Sequence, residues 1–291
     1  MYDSIKSLIN DAIKSGKPLH EIILQDEIES TDAKRDEILQ RLQRSLDVMK
    51  TSLKKGVTTD VVLPIKEAME QSQKMLSRPI FLSKELKEAV YWAMSIEEYN
   101  SGMGLICAAP TAGSAGVLPA VLFKGQEMLE KDESDVLNAL LVGSEIGAII
   151  GNKATLSGSE GGCQAEVGVA SAMAAASLVY LAGGTPEQVG HAVALAIINL
   201  LGLVCDPVAG LVIVPCIQRN AIGCMNAFLA AELALSGVTS IIPVDEVIDA
   251  MYEVGRKLPY ELKETGLGGI ASTPTAKQIA KKLYGEHYKE C

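Results

Sequence analysis

Residues 161–184 read GGCQAEVGVASAMAAASLVYLAGG. Positions 167–182 carry no charge and consist almost wholly of Ala, Val, Ser and Leu, with Glu166 on one side and Gly183-Gly184 on the other. These 16 residues fall short of the roughly 20 that a bilayer-crossing helix needs, so the stretch is read as a buried central helix. Small side chains let other helices approach such a helix closely. The same bias runs through the whole chain: 48% of its residues are hydrophobic but only 4% aromatic, so the core must be built from Ala, Val, Ile and Leu. Strand candidates are few (211–214 and 240–242), and no βα alternation or internal repeat occurs. The fold class is therefore mainly α: a helical domain with small-residue buried central helices and few short strands.

Apolar residues recur at helical spacing on either side of this centre. Leu39, Leu42, Leu46, Met49 and Leu53 mark an amphipathic helix over 32–55 that Gly56 would cap. Ser83, with Glu85 in the first turn, starts a helix that runs to Tyr99. Ser134 opens another to about Ile150. Thr185-Pro186-Glu187 opens one with Pro at its first position, and further helices cover 220–235, 243–256 and 275–284. At 291 residues one large domain is expected. An amphipathic helical part, 1–82, would lie against a core over 83–291.

The formal charge of −10 and a sequence pI near 4.9 argue against nucleic acid or an anionic membrane as partner. The opening Met1-Tyr2-Asp3-Ser4 has no apolar h-region, which points to a cytoplasmic, reducing compartment. There, six cysteines read better as metal ligands or buried apolar residues than as disulfides. Three have special neighbours: Gly161-Gly162-Cys163-Gln164, Val204-Cys205-Asp206-Pro207 and Val214-Pro215-Cys216-Ile217. Each stands beside Gly or Pro, which interrupt regular backbone, and thiols presented from element ends can converge. Cys291, at the end of the sequence, can move without disturbing a fold. Three fixed thiols and one movable one suggest an iron–sulfur cluster with an exchangeable position, although the spacing is no compact cluster signature and zinc stays open. Cys107 and Cys224 have small or apolar neighbours and read as core.

Two glycine-rich loops, 100–119 and 151–162, offer backbone N–H groups suited to a carboxylate. Their hydroxyl and acid groups (Thr111, Ser114, Ser157 and Glu160) are the candidates for contacts to a bound small molecule. Of the three histidines, His20 and His287 lie in polar segments and His191 on a largely apolar helix. No general base is evident in this chain.

Cys107-Ala-Ala-Pro-Thr-Ala-Gly-Ser-Ala-Gly, Ser157-Gly-Ser-Glu-Gly-Gly-Cys163-Gln-Ala-Glu-Val-Gly, Leu203-Val-Cys205-Asp-Pro-Val-Ala-Gly and Val214-Pro-Cys216-Ile-Gln-Arg-Asn-Ala together resemble the iron–sulfur-dependent L-serine dehydratases, over nearly all of residues 85–291. The length resembles the separate α chain of the two-chain form. The resemblance implies conversion of L-serine to pyruvate and ammonia. It also implies a [4Fe–4S] cluster held by Cys163, Cys205 and Cys216, with Cys291 as exchangeable fourth ligand. A smaller β chain with a Ser-Ser-His-Thr motif is implied as partner, giving a hetero-oligomer that leaves room for α–α contact and placing the base in trans. Ser159 departs from the small Ala of that family. Loss of hydroxide makes a Lewis-acid centre the larger lever: zinc lowers the pKa of bound water from about 15.7 to about 7, whereas a positioned base supplies about 10²–10⁴-fold. The rival readings are a relative acting on threonine or cysteine, a non-catalytic iron–sulfur scaffold subunit, and a pyridoxal-phosphate enzyme. The last would use Lys153 as Schiff base, want an α/β fold and leave the cysteines without a role.

Overall fold

A computed structural model of the chain describes residues 2–77 and 81–285. Among these the chain is helical and holds no strand; its one β-type pairing is an isolated parallel bridge between Cys205 and Lys263. The segments 211–214 and 240–242, expected as strands, are irregular.

Thirteen α-helices follow in order. α1 (Ile5–Ser15), α2 (Leu19–Thr31), α3 (Arg35–Thr58) and the short α4 (Gln71–Leu76) form the N-terminal part. α5 (Lys84–Ser101), α6 (Val117–Met128), α7 (Glu133–Lys153) and the single turn α8 (Gly158–Gly161) come next. α9 (Val169–Leu181), α10 (Pro186–Leu200), α11 (Cys216–Leu235), α12 (Val244–Lys257) and α13 (Pro274–Tyr284) complete the bundle.

Side-chain caps fix several of the starts. The Ser83 hydroxyl accepts from the Leu86 N–H at the head of α5, and Thr185 and Gln188 form a reciprocal capping box on α10. α7 starts earlier than Ser134: Asp132 Oδ1 accepts from the Asp135 N–H at 2.9 Å, because a carboxylate satisfies an orphan donor and favours the positive helix end together. α3 runs through Gly56 instead of ending there. A Cβ at that position would stand 2.6 Å from the Ser95 carbonyl oxygen, so this glycine lets α3 and α5 touch backbone to backbone.

α9 is the centre. Every residue from Val169 to Val179, and Leu181, is buried, and α6, α7, α10 and α11 pack around it. A π-helical turn, Gln164–Gly168, precedes it, so the continuous apolar helix is Gln164–Leu181, longer than its uncharged stretch. Gln164–Leu181 and α7 have the length and composition to cross a membrane, but the former is 89% buried among other helices. In this fold it is a core helix. α1 rests on α10 and α12, α2 on α7, and α3 on α5 to α7, within one apolar cluster reaching from Ile5 to Ala276.

Candidate active site

Two of the three cysteines flanked by Gly or Pro, Cys163 and Cys216, sit at helix starts. Cys163 follows Gly162, whose φ of +77° is left-handed, and it caps the π-helical turn that leads into α9. Cys216 is the first residue of α11. Both thiols thus stand at the positive end of a long helix, where a thiolate is favoured. Cys205 lies in the irregular segment between α10 and α11. Its N–H donates to the Leu262 carbonyl at 2.9 Å, and its own carbonyl accepts from the Glu264 N–H at 2.7 Å.

Three side chains tie these pieces together. Gln164 Nε2 donates to the Gly161 and Met251 carbonyls, while its Oε1 accepts from the Gly202 N–H at 2.8 Å, joining the Cys163 turn to the segment that carries Cys205. Arg219 on α11 reaches back: Nη1 donates to the Val204 carbonyl at 2.8 Å and Nη2 to Asp206 Oδ1 at 2.7 Å. Asn220, next in sequence, clamps the first glycine-rich loop. Its Nδ2 donates to the Gly113 carbonyl and its Oδ1 accepts from the Gly116 N–H.

A cavity of about 390 Å³ opens here, lined by Thr111, Ser157, Cys205, Cys216 and two acids, Glu166 and Glu264. Cys163 is buried beside it: its sulfur, the Cys205 sulfur and a Glu166 oxygen lie within 4.8 Å of one another. Glu166 Oε1 accepts from the Thr111 hydroxyl at 2.8 Å, and Oε2 is 3.6 Å from Cys205 Sγ. Glu97 on α5 is wholly buried; its Oε1 accepts from Asn100 Nδ2, and its Oε2 has no partner. A second cavity of about 540 Å³, around His20 and Tyr180, shares no wall residue with this one.

The electrostatics are lopsided. The neighbouring Cys205 thiol, and then the Arg219 guanidinium, hold the Cys163 thiol below its ordinary range against the pull of burial. Cys205 is pushed up, first by Cys163 and then by burial, and Cys216 is raised by burial with Glu97 adding to it. Burial raises Glu166 and pushes Glu97 up to about 8. Three thiols and two buried carboxyls therefore share one guanidinium, which Asp206 already engages. Such a cluster needs protons or a metal cation for neutrality. Its soft sulfur donors suit iron–sulfur, zinc or cuprous centres over hard cations, so the donor set fits a thiolate-held metal centre.

Of the residues singled out for substrate, Thr111 and Ser157 line the cavity. Ser114 is fully buried beneath Thr111, 3.2 Å from its hydroxyl, and Glu160 faces Thr155 outside the cavity wall. Ser159 bonds the Ser157 hydroxyl at 2.7 Å. Cys224 is fully buried, whereas Cys107 is partly exposed. Cys291 and His287 lie outside the described residues. Lys153, the alternative Schiff-base residue, is paired with Asp249 at 2.7 Å. Glu166, Arg219, Asp206 and Asn220 were not marked by sequence reasoning, although Glu166, Arg219 and Asp206 stand within three positions of a flagged cysteine.

The chain is similar along most of its length to known proteins. The family described as Serine dehydratase alpha chain matches residues 14–271. The "Probable L-serine dehydratase, alpha chain" of Bacillus subtilis (strain 168) is 45% identical, across 98% of this chain and 96% of its own. The "L-serine dehydratase, alpha chain" of Peptoniphilus asaccharolyticus is 42% identical, across 98% and 99%. "L-serine dehydratase 2" of Escherichia coli (strain K12) is 36% identical over 93% of this chain, which spans only 61% of that longer protein. With a family match over most of its length and relatives this similar from end to end, the chain belongs to the serine dehydratase alpha chain family.

Proposed function

We propose that this chain is the catalytic α chain of an L-serine dehydratase that converts L-serine to pyruvate and ammonia. The observation that carries the reading is the cation-poor group of Cys163, Cys205, Cys216 and Glu166 beside an open cavity, in a chain whose relatives bear that name. Cys163, Cys205 and Cys216 would hold a [4Fe–4S] cluster, with Cys291 as exchangeable fourth ligand. When bound, the cluster supplies Lewis acidity toward the substrate hydroxyl. The chain's own residues position the substrate. Thr111 and Ser157 present hydroxyls to the cavity, Asn220 fixes the loop carrying Thr111, and Arg219 sets the Cys205 segment and favours the Cys163 thiolate. The proton on the substrate's α-carbon is removed by a base on a β chain. This accords with relatives whose single chain is longer than this one.

Anaerobic reconstitution with iron and sulfide, followed by a pyruvate assay with and without the β chain, tests this. Brown, oxygen-labile protein that turns over L-serine only with its partner is expected. Colourless complex that still deaminates serine, or full turnover by the α chain alone, defeats the reading. Cys291→Ala probes the fourth ligand: unaltered activity, serine-dependent spectral change and oxygen sensitivity would remove it from the scheme.

A further inference from the structure

Glu166 is placed unlike any other acid in the described chain. It sits in the π-helical turn between Cys163 and α9, a device that admits one extra residue per turn and re-aims the side chains around it. One of its oxygens is pinned by Thr111 at 2.8 Å, and the other stands 3.6 Å from the Cys205 sulfur. A glycine makes room for both. A Cβ at Gly158 would lie 2.5 Å from Glu166 Oε2 and 3.0 Å from Cys205 Sγ, so any larger residue at 158 would displace the acid or the thiol. Glu166 and Glu264 are the acids on the cavity wall, and no lysine or arginine lines it among the described residues. Glu264 is exposed, whereas Glu166 is largely enclosed.

The geometry of a β-hydroxy-α-amino acid makes this position useful. Its nitrogen and hydroxyl oxygen hang from adjacent carbons and so lie roughly 3 Å apart when gauche. Whatever group takes the hydroxyl, the ammonium must find its acceptor within one such step. In this cavity the sulfurs mark the first position, and the enclosed carboxylate beside them is Glu166. The 111–113 backbone and the Ser157 hydroxyl remain for the substrate's carboxylate.

We propose that Glu166 binds the α-ammonium of the substrate and so selects α-amino acids over α-hydroxy acids; this rests on the serine dehydratase reading. Two non-reacting ligands that differ only in the group concerned, L-alanine and L-lactate, isolate the contact. Their binding to the iron-loaded α–β complex is measured by calorimetry, in the native form and in Glu166→Gln, a near-isosteric change that keeps an acceptor for Thr111. The native complex is expected to prefer L-alanine by about tenfold or more. Glu166→Gln should bring the two within about threefold, while Glu166→Asp, which keeps the charge, retains a preference. A native complex with no preference, or a Gln variant that keeps it, overturns the assignment. So does a Gln variant that loses its iron along with the preference, which would make Glu166 a ligand of the metal. Failure of the activity reading registers separately, as absence of pyruvate from L-serine in the native complex.

Discussion

α9 and the cysteine cavity meet at the π-helical turn and are opposite in construction. Along α9, thirteen residues meet four neighbouring helices mainly through small apolar side chains, and its two buried serines are satisfied: Ser177 donates to the Ala139 carbonyl and Ser171 accepts from Asn226 Nδ2. Around the cavity the fold encloses thiols and carboxyls with one guanidinium among them, leaves Glu97 Oε2 without a partner among the described residues and clears space with glycine. The first region has nothing left to bind, while the second needs protons or a metal cation for neutrality. Violations of ordinary burial rules that gather in one place mark function; scattered through α9 they would merely destabilise.

The sharpest way to break this contrast is at the sulfurs. Cys163→Ser, Cys205→Ser or Cys216→Ser should each lower iron retention and pyruvate formation by more than about 10²-fold, read by iron analysis and assay. If any one of them keeps both, that cysteine does not belong to the donor set. Arg219→Met comes next. It leaves Asp206 buried with the Ile270 N–H as its remaining partner, and removing one partner of such a buried pair costs about 3–5 kcal/mol, measurable by urea unfolding; a loss under about 1 kcal/mol would show the pair to be dispensable.

Glu97 gives a signed pH effect. Its folded value of about 8 stands above the ordinary 4.5, so the folded chain holds that proton through the interval and stability falls as pH rises across it. Glu97→Gln should flatten this decline, by up to about 4 kcal/mol at the alkaline end. Unfolding curves at pH 5 and 8.5 that shift in parallel for both forms would contradict it. The smallest change is in α9: Ala174→Leu overpacks the centre for about 1–3 kcal/mol and should leave iron content per folded chain as it was. A drop in iron there would erase the boundary between the two regions.

Much of the bundle was legible because its signals are local. The uncharged run before Gly183-Gly184 announced the central helix, and Ser83 and Thr185-Pro186 announced their helix starts. Gly56 misled because a glycine at close helix contact and one at a helix end look alike in sequence. Ser134 misled because the stronger cap, Asp132, lies two residues earlier. In the site, Gly and Pro beside Cys163 and Cys216 located helix starts, while Cys205 lies in an irregular segment. Glu166, Arg219 and Asn220 were passed over because their roles depend on which distant segments meet: Thr111 lies 55 residues from Glu166, and Gly113 lies 107 from Asn220.

The π-helical turn carries an implication for how this chain tolerates change. An α-helix advances about 100° and 1.5 Å per residue. Excising a single residue, Ala165 for instance, would allow Gln164–Leu181 to wind as one regular helix, a locally comfortable outcome. It would also swing Cys163 about 100° around the axis, away from Cys205 and Arg219. Helix content would survive while the sulfur trio came apart, so in this chain a one-residue deletion invisible to circular dichroism should be among the most damaging edits available.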